Sequence, residues 1–181
     1  MAPELKILLA VFWLFLPAAF ANMIPVFLRR LPVLAVPMDF GRSLAGKRIF
    51  GDNKTWRGFL SGILTSLVVI EIQSFLYPFP AGFTVINYDA PFIGWLGLAM
   101  GAGALLGDAA GSFLKRRLGI LPGGNLPVID QIDWIIGAML TSSLLYSWNW
   151  EIWLAAILMF GLLHPPVNII GYWLCLKPNK F

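Results

Sequence analysis

Long apolar runs separated by short polar segments dominate the chain. Five of them, at 5–27, 58–77, 91–113, 132–147 and 152–176, approach or reach the roughly 20 helical residues that cross a bilayer core of about 30 Å. The fourth is the shortest and extends into Trp148–Trp150. Lipid offers no partner to free backbone N–H and C=O groups, so only helices and closed barrels span it. No alternating pattern of about ten residues marks barrel strands. The pattern therefore predicts an all-α polytopic membrane protein with about five transmembrane helices, a single domain over residues 1–181. The first run also has a small-residue stretch, Ala19-Phe20-Ala21, of the kind that ends a signal peptide. Its basic leader is weak, with Lys6 offset by Glu4, and the apolar run continues through Met23-Ile24 to Phe27-Leu28, so it is read as a membrane span.

Composition agrees with that reading. Apolar residues make up 59% of the chain and charged residues 12%, against roughly 45–50% and 25% in soluble domains. A single cysteine, Cys175, excludes an internal disulfide framework. Of the 13 Lys and Arg residues, all but Lys6 fall on one side of the expected spans. Arg29, Arg30, Arg42, Lys47, Arg48, Lys54 and Arg57 lie between spans one and two, and Lys115, Arg116 and Arg117 between three and four. Lys177 and Lys180 follow span five. By the positive-inside rule the N-terminus is expected outside and the C-terminus in the cytoplasm. Trp148, Trp150 and Trp153, with Tyr77 and Phe79, suit an aromatic belt at the outer face. The two inner loops hold most of the charge and little that folds alone, and candidate chemistry is sought there.

The first inner loop ends in Gly51-Asp52-Asn53-Lys54-Thr55-Trp56-Arg57-Gly58. A helix starting here points its free N–H groups and positive dipole end at the boundary, which favours an anion. Lys54 and Arg57, three residues apart, add full positive charges, so the corner suits a phosphate; capping plus positive-inside anchoring is the plainer alternative. Span three carries Gly107-Asp108, then Ser112 and Lys115-Arg116-Arg117. Asp108, Ser112 and Lys115 are spaced i, i+4, i+7 on one helical face. A carboxylate about two turns inside the boundary must face protein, water or a metal; an ion pair that only locks helices is the alternative. Asp130 and Asp133 share a face at the start of span four, where capping is the competing role. Asp108, Asp130 and Asp133 together make a hard-cation site suited to Mg²⁺, which takes one or two carboxylates with substrate phosphates and waters. His164 and Asn168, i, i+4 beside Pro165-Pro166, and Asn22 are weaker signals read first as packing residues. A helix break is expected at the two prolines. Glu71 is read as a boundary residue.

Three segments together resemble the CTP-dependent phosphatidate cytidylyltransferases. The family's Gly-Lys-Thr-Trp-x-Gly-Phe element is matched by Asn53-Lys54-Thr55-Trp56-Arg57-Gly58-Phe59. Its Gly-Asp…Ser-x-x-Lys-Arg element is matched by Gly107-Asp108 and Ser112 to Arg116, and its Asp-Arg-x-Asp element by Asp130-Gln131-Ile132-Asp133. Order and spacing agree over roughly residues 50–133. The chain departs from the family in lacking its Lys-Asp pair and His-Gly-Gly, having Leu121-Pro122 and Asn125-Leu126-Pro127 instead, and in having Gln131 for Arg. A short chain of about five spans resembles the archaeal branch, the CDP-archaeol synthases.

That resemblance implies transfer of CMP from CTP to a glycerol-phosphate lipid carrying geranylgeranyl ethers, with release of pyrophosphate. It implies Asp108 and Asp133 as Mg²⁺ ligands, with Asp130 as ligand or orienter. Phosphates would be held by Asn53, Lys54, Thr55 and Arg57. Ser112, Lys115 and Arg116 would hold triphosphate or lipid phosphate, and Asn125 with the Gly123-Gly124 turn the nucleotide. The partners expected are CTP, the lipid and the bilayer, with no nucleic acid; a homodimer is one assembly such a chain admits. The competing class is a small ion or solute transporter, which intramembrane carboxylates and a proline-broken helix also suit. The clustering of charge near one face, away from the midplane, favours the enzyme.

Overall fold

In a computed structural model the described residues are 2–77, 79, 82–121 and 124–173. Cys175, Lys177, Lys180 and Gly123 lie outside them. Five helices follow in order: α1 (Pro3–Phe27), α2 (Trp56–Leu76), α3 (Ile93–Arg117), α4 (Ile129–Ser142) and α5 (Trp150–Trp173). α1, α2, α3 and α5 are long and apolar enough to cross a membrane. α4 corrects the expected fourth span. It begins at Ile129 and stops at Ser142, where Ser143 and the turn through Tyr146 end the helix. Its 14 residues reach about 21 Å at 1.5 Å each, short of a bilayer core of about 30 Å. The break expected in α5 is absent: Pro165 and Pro166 sit inside a continuous helix, as do Pro17 and Pro25 in α1. A bend is not obligatory where neighbouring groups take over the freed carbonyls.

α3 is the axle of the bundle. It packs against α1, α2 and α4, while α5 lies against α4 and α1. Val11, Leu14, Phe15 and Ala18 of α1 meet Met100 and Ala104 of α3, Ile135 and Met139 of α4, and Phe160 of α5 in one core. The opposite faces are apolar and exposed. Leu64, Val68, Ile72 and Phe75 form a stripe down α2, and Leu154, Leu158 and Leu162 one down α5, each at helical spacing. Apolar helix faces outside an apolar core belong against lipid. Helix pairs are tied by buried polar contacts as well. The Ser66 hydroxyl donates to the Gly97 carbonyl at 2.7 Å, and Thr141 to Ala99 at 2.7 Å.

The α3–α4 contact rests on missing side chains. A Cβ at Gly103, Gly107 or Gly137 would run into the backbone of the facing helix. Backbone contact of this closeness is open only to glycine. The aromatic residues at the other end divide: Trp150 and Phe79 are exposed, while Tyr77 and Trp148 pack against the core. Trp148 also donates to the Ser142 hydroxyl at 2.9 Å.

The segment between α1 and α2 is more ordered than its charge suggests. After a turn of 3-10 helix (Leu28–Arg30), β1 (Ser43–Leu44) pairs antiparallel with β2 (Lys47–Arg48). Ala45 and Gly46 between them both have positive φ, the geometry of a tight two-residue hairpin. Residues 34–38 run alongside the start of α2: Met38 N–H donates to Lys54 at 2.7 Å, Trp56 to Val36 at 3.0 Å and Arg57 to Leu34 at 2.8 Å. The Arg117 guanidinium, at the end of α3, donates to the carbonyls of Leu44, Lys47 and Arg48. This loop is thus a small folded cap, fastened to the basic end of α3 and to the start of α2.

Candidate active site

A cleft of about 970 Å³ opens at the basic end of the bundle. One wall is the cap and the start of α2, with Asp52, Asn53, Lys54, Thr55 and Arg57. The floor comes from α3 and the approach to α4, with Asp108, Lys115, Asn125, Asp130 and Gln131. The far wall comes from α1, the 3-10 turn after it and α5, with Asn22, Pro25, Val26, Arg29, His164, Pro165 and Asn168. Apart from Arg29, charge therefore concentrates on one side, with apolar and amide groups on the other.

Two ion pairs cross the floor. Lys54 Nζ is seated on Asp108 Oδ2, joining the start of α2 to α3. Lys115 Nζ meets Asp130 Oδ1 at 2.9 Å, joining α3 to α4. Asp108 and Lys115, placed on one helical face by their spacing, thus take partners on other elements. Asp130 also accepts from the Leu126 N–H at 3.0 Å, which closes the turn leading into α4. It makes no capping hydrogen bond to α4, and it stands on the cleft wall. Asp133 lies deeper, against Gly111, where any Cβ would collide with its carboxylate. The charges of Asp108, Lys54 and Asp130 all act on it.

Other expected site residues divide. Asn53, Lys54, Thr55, Arg57, Lys115, Asp108, Asp130 and Asn125 line the cleft. Ser112, Arg116, Gly124 and Asp133 are not on its wall. Ser112 and Arg116 are buried in α3; Arg116 donates to the Leu121 carbonyl at 3.1 Å. Gly124 closes a turn onto the Leu121 carbonyl at 2.9 Å. The expectation of free N–H groups at the start of α2 is also corrected. Trp56 and Arg57 N–H are spent on Val36 and Leu34, and Gly58 N–H on the Thr55 hydroxyl at 3.2 Å. Arg57's guanidinium reaches the Leu31 carbonyl. An anion here would meet side chains, chiefly Lys54, and not the helix terminus. The wall also holds Arg29, Ala35, Met38, Asp52 and Gln131, which sequence reasoning passed over or counted only for charge.

Among the described residues no three His, Cys, Asp or Glu side chains stand as a ready ligand set for a metal ion. The donors nonetheless suit a hard divalent cation in kind. The charges of Asp108 and Asp130 both act on Asp133, and oxygen ligands are what Mg²⁺ takes. The two lysine ammonium groups already occupy cation positions on Asp108 and Asp130.

The family profile described as CarS-like CDP-archaeol synthase matches residues 4–181. The chain belongs to the CDP-archaeol synthase family. It is 38% identical to a CDP-archaeol synthase of Methanopyrus kandleri over 169 residues, which cover 91% of this chain and 88% of that protein. It is 35% identical to a CDP-archaeol synthase of Pyrococcus furiosus over 166 residues, covering 91% and 93%. A solved structure, described as an intramembrane enzyme for archaeal membrane lipids biosynthesis, superposes with a TM-score of 0.74 at 34% identity. The match covers 90% of this chain and 94% of that one. This CDP-archaeol synthase family member is accordingly a multi-pass membrane protein, and its cleft is the place to look for the family's chemistry.

Proposed function

We propose that the cleft brings the phosphate monoester of a membrane glycerol lipid onto the α-phosphorus of CTP, giving a CDP-lipid and pyrophosphate. As a CDP-archaeol synthase family member the chain is a CTP-dependent cytidylyltransferase acting on a lipid phosphate. The finer reading is that the lipid is unsaturated archaetidic acid, 2,3-di-O-geranylgeranylglycerol phosphate, and the product CDP-archaeol. The observation that carries the site assignment is one cleft with two different walls. Lys54, Lys115, Asp108 and Asp130 meet on one side, and the lipid-exposed helices α1 and α5 form the other.

The reaction needs no covalent intermediate. One P–O bond forms between lipid phosphate and Pα as another breaks to release pyrophosphate, so catalysis rests on alignment and charge stabilisation. Lys54 and Lys115 are the charges available to the triphosphate, and each exchanges a carboxylate for phosphate oxygens when the nucleotide arrives. Asp108 and Asp133, with Asp130, would hold Mg²⁺. When bound, that ion neutralises charge on the phosphates and polarises the P–O bonds. Asn125 and Gln131 offer amides to the nucleotide. Asn22 and Asn168 offer them to the glycerol ether oxygens, while the chains extend into lipid between α1 and α5. Placing the basic end in the cytoplasm, as the Lys and Arg asymmetry directs, lets CTP enter from water and the lipid enter sideways.

The deciding experiment incubates detergent-solubilised protein with magnesium, the geranylgeranyl ether phosphate and CTP labelled at the α-phosphorus. Labelled lipid is the expected result. Label appearing only from γ-labelled CTP would indicate a kinase, and no labelled lipid at all would overturn the reading.

A further inference from the structure

The segment that carries Lys54 into the cleft is held from behind by a carboxylate that never reaches the cleft. Asp39 sits in the cap, its side chain 0% exposed. Its Oδ2 accepts from the N–H groups of Phe50 and Gly51, both at 3.0 Å, and from Arg48 Nε at 3.3 Å. Its Oδ1 accepts from Arg48 Nη2 at 2.7 Å and from Gly41 N–H at 3.0 Å. Arg48 continues the chain of contacts, Nη1 to Asp52 Oδ1 at 2.7 Å. The neighbouring Met38 N–H holds the Lys54 carbonyl at 2.7 Å. Both ends of the 50–54 segment are thus tied to two consecutive residues, and the side chains between the ties, those of Asp52, Asn53 and Lys54, line the cleft. Gly51 allows this path: its φ is +96°, and the Arg116 guanidinium lies 3.8 Å from where its Cβ would be.

We propose that Asp39 is a positioning residue for the nucleotide side of the cleft, acting through the Phe50 and Gly51 amides and Arg48 to set where Asn53 and Lys54 meet the triphosphate. This rests on the assignment of that wall to CTP. The segment belongs to the cap, and within it Asp52 opens to water. The lipid-facing wall is built from α1 and α5 and makes no use of Asp39. A displaced Lys54 should therefore weaken one substrate and spare the other. A general loosening of the fold would damage both.

The test compares wild type with Asp39→Asn, Arg48→Ala and the double variant, measuring KM for CTP, KM for the lipid phosphate and the melting temperature in detergent. Asp39→Asn is isosteric and keeps an acceptor oxygen while losing the charge. It is expected to raise KM for CTP about tenfold and KM for the lipid less than about twofold, as misplacing a positioning group does. The double variant should be no worse than the more damaging single one, since both cut the same chain of contacts. If either single variant fails to fold, Arg48→Lys, which keeps the charge but loses the two-pronged contact with Asp39, is expected to give the same CTP-selective effect. An unchanged KM for CTP, or a rise in both KM values that tracks a fall in melting temperature, overturns the role of Asp39. Failure of the wild type to make labelled lipid in the same assay overturns the nucleotide assignment and the role with it, and so is distinct from either of those results.

Discussion

The cleft has a stiff side and a loosely anchored side. The α3–α4 contact is made by glycines whose backbones touch, and it carries Asp108, Lys115, Asp130 and Asp133. Helices that meet backbone to backbone have no side-chain rotamers between them to adjust, so the acids keep their spacing. α5 is different. Ala156 and Phe160 are its buried residues among those described, Ile152, Trp153, Ala155 and Met159 pack partly against the core, and Leu154, Leu158 and Leu162 face outward. Its described core contacts fall in its first half, from Ile152 to Phe160, whose ring meets Trp134 and Phe15 edge-on. The difference suits two substrates of unlike shape: a compact triphosphate needs charges at fixed distances, whereas long lipid chains need a boundary that yields.

The comparison can be broken at several points. The largest effect is expected from Asp133→Asn, which should lower CDP-lipid formation by roughly 10³-fold or more while the protein still inserts and purifies; unchanged turnover would remove Asp133 from the site. Gly111→Ala places a methyl group against the Asp133 carboxylate and should cost roughly 10²-fold in turnover, because small displacements at the reacting centre are expensive. If activity survives that substitution, the seam is not stiff. On the other wall, Asn168→Ala should raise KM for the lipid about fivefold with KM for CTP unaltered, as loss of one neutral hydrogen bond does; a matching rise for CTP would show that the two walls are not divided by substrate. Leu162→Ala, on the exposed stripe of α5, should change turnover less than about twofold, since it removes no core contact.

Acid probes the cap separately. Burial by itself would raise the Asp39 carboxyl, but the Arg48 guanidinium and the Gly51, Phe50 and Gly41 N–H groups outweigh it and hold it well below the usual carboxylate range. A carboxylate lowered in this way stabilises the fold fully above its unfolded value of about 3.9 and progressively less as pH falls below that. The difference in melting temperature between wild type and Asp39→Asn should therefore be present at pH 6 and shrink towards pH 3. A difference that grew on acidification would contradict the contact pattern.

Much of this was legible in the residues. Four spans follow from apolar runs bounded by charge; Asp108 follows from a carboxylate at membrane depth, which needs a partner, and Lys54 and Asp130 from charged groups at the starts of the second and fourth runs. What local pattern does not carry is pairing across the chain. Asp39 stands alone in a segment of Pro, Gly and Arg without periodicity, and its partners lie up to 12 positions away. The free helix terminus expected at Trp56 was filled by Val36 and Leu34, residues that form no strand signal. α4 was drawn too long because apolar residues continue through Leu144 and Leu145, whereas the helix itself ends where Ser142 and Ser143 turn their hydroxyls onto the Met139 carbonyl, at 3.1 and 2.7 Å.

The brevity of α4 has a bearing on the membrane itself. Fourteen residues stand in a bundle whose other helices have 21 to 25, a mismatch that a bilayer meets by thinning or by taking a polar helix end beneath the headgroup plane. In the function proposed above, ionic reactants would then meet close to the hydrocarbon, and a lipid phosphate would sink only a short way to arrive there. Enzyme placed in vesicles of progressively longer acyl chains would feel that hydrophobic mismatch, so the thickness of the host membrane becomes a setting on the rate at which its own lipids are made.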